Sequence, residues 1–318
     1  MKRILVTGAN GFIGQALCSE LSKRDFRIRK AVRSQRKNLL HRETDDIVTT
    51  GDIAVEPDWT AALNGIDTIV HLAGRAHVMN KCVKDPLTEY RRVNTAGTEH
   101  LARSAVKAGI RRIVYASTVK VNGEITKQMP FSEADIPSPE GYYAISKWEA
   151  ELALHRIAQE TGLEIVILRL PLVYGPGVKA NFLRLLDLIN RRIPLPLAMM
   201  TNRRSLVYVC NLVDAIITCI NHPDAAGQVY MVSDGEDVSI ADIIRIIASA
   251  MEITPRLMPL PVFLLRAVGR LMGKSDIVRR LTDPLCVNSD KIGKELNWRP
   301  PFTLEQGIRE TVKWYKSR

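Results

Sequence analysis

The 318-residue chain is 46% apolar and 25% charged, an ordinary globular composition with room for one large domain or two moderate ones. Its net charge of +11 argues for small anionic ligands and against a nucleic-acid partner: apart from "RIRKAVRSQRK" (27–37), the basic residues are dispersed among acids and form no aromatic-interleaved stripe. No apolar run is long enough to span a membrane, "MKRILVTGAN" turns polar too soon for a secretory signal, and the five scattered cysteines form no metal-ligand spacing, so a cytoplasmic protein with no metal and no stable membrane insertion is expected.

In chain order, the first half alternates short apolar runs with helical patterns. Residues 3–8, 27–32, 46–52, 68–74, 112–118 and 164–170 read as strands, with helix candidates at 13–24, 57–64, 88–108 and 143–161 between most of them. Repetition of strand, helix and strand implies an α/β fold, a doubly wound Rossmann parallel sheet with helices on both faces. Near-continuous apolar runs such as "ILV" and "IVIL" suit strands buried on both sides. After residue 171 the pattern changes. "PLVYGPG" reads as a loop, "NFLRLLDLINRR" as a helix, "RRSLVYVCNLVDAIITCINH" as a strand running into a helix, and 238–318 as mostly helical. The expected division is 1–174 as the dinucleotide-binding domain, with a segment near 205–233 returning to it, and 175–318 as a smaller, mostly helical substrate lobe. Within that lobe, "PVFLLRAVGRLMG" (261–273) reads as a peripheral helix packed on the body, in preference to a membrane-surface helix.

"VTGANGFIG" joins the first strand to a helix. Gly8 permits the tight turn, Gly11 lets a pyrophosphate approach the backbone, and Gly14 allows close packing of helix on strand, while the helix amino terminus faces the anion. Phe12 and Ile13 lie in the same turn. At the end of the second strand, "KAVRSQRK" offers no acid for a ribose hydroxyl and places Arg33 where a 2′-phosphate would sit. NADP(H) is therefore expected in preference to NAD(H). "GDI", with Asp52 and Ile53, and "HLAG", with Leu72, Ala73 and Gly74, fall at later strand ends beside the same ligand.

"GYYAISKWEAE" (141–151) sets Tyr143 and Lys147 four apart on a helix, hence on one face. A phenol exchanges protons poorly near neutrality, and a fixed ammonium beside it favours the phenolate.

Together "TGANGFIG", "GDI", "HLAG", "VNTAGT", "YASTVKVNG", "YAISK" and "LRLPLVYGPG" resemble, in order and across essentially the whole chain, the extended short-chain dehydrogenases/reductases of the epimerase/dehydratase type. The resemblance implies that Tyr143 exchanges a proton with a sugar 4-oxygen and that Lys147 holds the nicotinamide ribose. It puts Thr118 at the catalytic hydroxyl, with Ser117 as the fallback, and Asn94 and Val173 near the cofactor. It also implies a UDP-sugar substrate gripped by Asn181, Arg204, Arg280 and Asp283, and a homodimer. "VNG" in place of "VYG", and Asn211 where many epimerases carry an acid, depart from the family pattern.

"HLAGRAHVM", "PLVYGPGVKANF", "IPLPL" and "NRRSLVYVCNLVDA" look most like one branch of the family. Nearest are the 4-ketoreductases of the UDP-N-acetylquinovosamine type, so reduction of a UDP-4-keto-6-deoxy-N-acetylhexosamine for surface polysaccharide is the expected reaction. A UDP-glucose or UDP-N-acetylglucosamine 4-epimerase with retained NAD is the alternative. Val119 beside Thr118 disfavours a 4,6-dehydratase, which needs an acid there. Retention of Tyr143, Lys147 and Thr118 disfavours a non-catalytic sensor on the same fold.

Overall fold

A computed structural model describes residues 1–34, 46–76, 85–273 and 275–318, without the side chains of residues 276, 277 and 280. The amino-terminal half contributes β1 (Lys2–Thr7), α1 (Phe12–Leu21), β2 (Phe26–Val32), β3 (Asp46–Thr49), α2 (Thr60–Leu63), β4 (Thr68–His71), α3 (Pro86–Tyr90), α4 (Gly97–Lys107), β5 (Arg112–Thr118), α5 (Gly141–Thr161) and β6 (Glu164–Leu170). Then follow β7 (Leu172–Tyr174), α6 (Ala180–Asn190), β8 (Arg203–Tyr208), α7 (Val209–Asn221), β9 (Val229–Met231), β10 (Asp237–Ser239), α8 (Ile240–Met251), α9 (Val262–Leu271), α10 (Ser275–Thr282), α11 (Asp290–Leu296) and α12 (Leu304–Lys316).

Seven parallel strands form one sheet in the order β3-β2-β1-β4-β5-β6-β9, the Rossmann arrangement expected from the sequence. Strand pleating sends alternate residues to opposite faces. Ile4, Val6, Val70, Val114 and Val166 meet Leu17 and Leu21 of α1 and Leu212 and Ile216 of α7. Leu5, Ile69, Ile113, Ile165 and Ile167 meet Leu101 of α4 and Ala150, Leu154 and Ile157 of α5. Burial on both faces is why these strands read as unbroken apolar runs. Arg112, itself buried at the start of β5, donates to the carbonyls of Cys219 (2.7 Å) and His222 (2.8 Å) and so closes the carboxyl end of α7. The strand order reverses between β1 and β4, and their carboxyl ends open the crevice where ligands of such sheets bind.

Of the stretch 205–233, β9 hydrogen-bonds to β6 in the large sheet, whereas β8 joins a second, three-stranded sheet, β10-β8-β7. A separate core covers that sheet, in which Phe182 and Leu186 of α6, Ile243, Ile244 and Ile247 of α8, and Leu304, Ile308 and Val312 of α12 surround Tyr174 and Tyr208. The buried Asn211 explains its departure from the family's acid. Its amide donates to Asp234 (2.7 Å) and to the Phe302 carbonyl (2.8 Å) and accepts from the Phe302 N–H (2.9 Å), tying α7 to the segment before α12. Asp234 also receives the Tyr174 hydroxyl at 2.8 Å, and burial raises its carboxyl above the usual range.

Helix α9 packs peripherally on the body, as expected, but its outer side is apolar too. Val262 and Leu265 pack on the smaller core and Gly269 is buried, but Phe263, Leu264, Val268 and Leu271 are exposed. Only one side of the helix is packed on the body, because apolar periodicity sets which residues share a face and not what covers it.

Candidate active site

At the carboxyl end of β1 the chain turns through Gly8 with φ +68°, and Gly11 N–H closes the turn on the Gly8 carbonyl at 2.8 Å. A side chain on Gly14 would place its Cβ 2.2 Å from that carbonyl oxygen, so only glycine lets α1 start this close to β1. No side chain caps α1, and its first N–H groups remain to meet an anion, with Phe12 and Ile13 half-buried beside them. The turn after β4 closes the other wall, since a Cβ on Gly8 would lie 2.8 Å from the Ala73 nitrogen and 2.9 Å from the Leu72 carbonyl carbon. Beneath them the buried His71 ring lies 2.7 Å from the Thr7 hydroxyl and 2.9 Å from that of Thr98. Burial pushes His71 down to about 3, so it is a neutral strut at working pH. An open backbone cradle with an uncapped helix end fits a dinucleotide pyrophosphate.

Other expected cofactor contacts surround this cradle. Asp52, at the start of a short helical turn after β3, accepts from Ala54 N–H at 3.0 Å, and Ile53 beside it is buried. Arg33 stands exposed just past β2, and Val173 lies half-buried between the two cores. Asn94 lies on a π-helical segment, Arg91–Ala96, an irregularity often found at functional sites. Its amide donates to the Arg75 carbonyl and the Ser146 hydroxyl, both at 3.0 Å, and accepts from Arg75 N–H at 2.8 Å, so it pins the turn after Gly74 onto α5.

Helix α5 brings Tyr143 and Lys147 to the crevice wall. Tyr143 packs against Tyr90, with ring centroids 6.2 Å apart, and burial pushes its phenol up to about 12. That direction is opposite to the one expected from an adjacent ammonium. The reason is where the lysine points: Lys147 Nζ donates to the Ala116 carbonyl at 2.5 Å and lies 4.0 Å from the centre of the Tyr115 ring. Burial there pulls its amine down to about 7, with Glu151 acting in the opposite sense.

This shift carries a stability signature. The folded chain releases the Lys147 proton near pH 7 and the unfolded chain holds it to about the ordinary lysine value of 10.5. Between those limits the unfolded state binds more protons, so stability rises with pH; below pH 7 both states are charged and the burial penalty is complete. Lys147→Met removes this rise. Denaturant unfolding between pH 7.5 and 9.5 should show wild type gaining on the variant by about 1.4 kcal/mol per pH unit. Parallel pH profiles would refute the assignment.

The two candidate hydroxyls separate at the end of β5. Ser117 faces α5 and donates to Glu151. Thr118 accepts from Lys120 N–H at 3.3 Å, which leaves its own O–H to be donated. Glu151 is fully buried and receives Arg169 at 2.7 and 3.2 Å, while Arg169 also donates to Asn122 at 3.0 Å. This buried network under Lys147 was not read from the sequence. An arginine inside the apolar strand "IVILRL" and an acid four residues after Lys147 were the available signals.

In the smaller lobe, Arg204 donates to the Asp283 carbonyl at 3.3 Å. Asp283's carboxylate is held by Arg266 at 2.7 Å and faces Arg279 at 3.6 Å, two arginines that sequence reasoning passed over. Leu285, two residues on, packs against Val119 beside Thr118, so this basic cluster adjoins the catalytic candidates. Asn181 is exposed at the start of α6, and the Arg280 side chain lies outside the described residues. No group of three or more potential metal ligands occurs among the described residues, and no described helix is long and apolar enough to cross a membrane.

Residues 4–233 match the NAD dependent epimerase/dehydratase family. A UDP-glucose 4-epimerase of Vibrio cholerae is 44% identical over 315 residues, covering 98% of this chain and 95% of that protein. An N-acetyl-alpha-D-glucosaminyl-diphospho-ditrans,octacis-undecaprenol 4-epimerase of Escherichia coli O157:H7 is 26% identical, covering 98% and 94%. Among solved structures, the UDP-glucuronic acid 4-epimerase of Bacillus cereus in complex with NAD superposes with a TM-score of 0.81 at 23% identity, covering 99% of each chain.

Proposed function

The chain belongs to the NAD dependent epimerase/dehydratase family, and from that premise we propose that it is a nucleotide-sugar 4-epimerase acting on a UDP-hexose such as UDP-glucose. The observation that carries this reading is 44% identity to the Vibrio cholerae UDP-glucose 4-epimerase across 98% of the chain. The 4-ketoreductase expected from the motifs gives way to it, since it rested on the likeness of short segments and on Arg33.

The glycine cradle, the uncapped start of α1 and the turn after β4 would hold the dinucleotide, with Asp52 and Ile53 beside the adenosine half. NAD(H) is the proposed resident, and Arg33 is the residue through which a 2′-phosphate, hence NADP(H), would be accepted. When bound, the dinucleotide would supply reversible hydride acceptance at the sugar carbon, and the positive charge of its oxidised form would favour the Tyr143 phenolate.

Within this reading the chain's own residues handle the oxygen. Tyr143 takes the proton of the sugar 4-hydroxyl and gives it back, and Thr118 donates a hydrogen bond to the same oxygen as charge develops on it. Lys147 would hold the nicotinamide ribose, with its amine steadied by the Ala116 carbonyl and Tyr115 ring. Glu151, itself fixed by Arg169 and Ser117, supplies the negative charge that opposes loss of the Lys147 proton. Arg204, Arg266 and Arg279, grouped about Asp283, would bind the diphosphate, where guanidinium groups make paired charge-assisted bonds. The test is turnover with no added cofactor. Purified protein given UDP-glucose alone should form its C4 epimer; consumption of NADPH by a UDP-4-keto-6-deoxy sugar, with no epimerisation, would favour the ketoreductase.

A further inference from the structure

Helix α9 turns an apolar face outward. Phe263 is 69% and Leu271 88% exposed, and Leu264, Val268 and Met272 are exposed as well. At the helical repeat, Phe263, Ala267, Leu271, Leu264 and Val268 fall within one arc of about 140°. Val262, Leu265 and Gly269 occupy the inward side. Met258, on the loop that leads into the helix, is exposed as well. A contiguous patch of this kind marks an interaction surface.

Charge decides what fits it. Residues 253–274 contain four basic side chains (Arg256, Arg266, Arg270 and Lys274) and no acid. By the helical repeat, Arg266 and Arg270 border the apolar arc on its Phe263 edge. Arg266 is already held by Asp283, but a second copy of the chain packed face to face would set Arg270 against its own kind, with no acid in residues 253–274 to answer it. Lipid phosphates do answer it, and an apolar arc edged by arginine is the pattern of a helix lying in a membrane interface. At ten residues the helix is too short to cross.

We propose that α9 docks the protein on an anionic bilayer, with Phe263, Leu264, Val268 and Leu271 at the boundary between headgroups and acyl chains and Arg256 and Arg270 on lipid phosphates. Arg266, on the same helix, donates to Asp283, so docking holds the basic cluster of the smaller lobe at the bilayer surface.

Flotation of the full chain with extruded vesicles tests this. Binding to phosphatidylcholine vesicles containing phosphatidylglycerol should exceed binding to phosphatidylcholine alone by roughly tenfold or more, and raised salt should release it. The double variant Phe263→Asp/Leu271→Asp should lose flotation while keeping its turnover of soluble sugar nucleotide and its Tm. Absence of wild-type flotation, equal binding to both vesicle types, or undiminished flotation of the variant would overturn the proposal. So would a wild type that ignores vesicles but falls to a smaller species on size exclusion when the two substitutions are made, since the face would then be buried between copies. The salt arm reads the electrostatic term on the unaltered protein and does not depend on how the variant folds.

Discussion

Tyr143→Phe is expected to lower the turnover number for C4 epimerisation by roughly 10²–10⁴-fold, the range for loss of a positioned proton-transfer group. The phenol is the group on the crevice wall that can both give and take a proton, and burial holds it protonated, at about 12, until a positive charge arrives. Phenylalanine keeps the ring that packs against Tyr90 at 6.2 Å, so fold and cofactor retention should survive. The signature is a fall in kcat with KM little changed, because the proton transfer is made only on the way to the transition state. Unaltered kcat would remove Tyr143 from the mechanism, whatever reaction the protein runs.

Arg169→Met is expected to destabilise the fold by about 3–5 kcal/mol, because it strands a buried carboxylate. Glu151 has no exposure, and the Arg169 guanidinium reaches its carboxylate at 2.7 and 3.2 Å. With the guanidinium gone, only the Ser117 hydroxyl remains to answer the charge among the contacts described. A second substitution, Glu151→Gln, removes that stranded charge and should recover most of the loss, so the pair should be strongly non-additive in denaturant unfolding. A loss below about 1 kcal/mol for the single variant, or simple additivity, would contradict the assignment of this buried pair. The same pair lies under Lys147, so the double variant should also shift the lysine's titration further down.

The sheet was legible because its strands are buried on both faces: "ILV", "TIV" and "IVIL" leave few other structures open, and the glycine loop marks the first crossover. Tyr143 and Lys147 were legible by their spacing on a helix. The direction of Lys147 was not. It depends on the Ala116 carbonyl and the Tyr115 ring, two positions on a strand some thirty residues earlier in the chain, and helical spacing says nothing about them. Glu151 and Arg169 likewise meet only once α5 lies on β6, so neither residue type nor local pattern pairs them. Asn211 read as a defect in a motif because its partners, Asp234 and Phe302, are 23 and 91 residues away. For α9 the periodicity was plain and its surroundings were not, since a helix with one apolar face reads alike whether protein or lipid covers it.

The most direct measurement is the fate of deuterium when UDP-glucose labelled at sugar carbon 4 is incubated with the purified protein and no added cofactor. Epimerisation on a retained dinucleotide predicts UDP-galactose that carries the label at carbon 4, with no dependence on added NAD or NADPH. Failure to form the epimer, together with stoichiometric NADPH oxidation by a UDP-4-keto-6-deoxy-N-acetylhexosamine, would contradict the account and restore the ketoreductase.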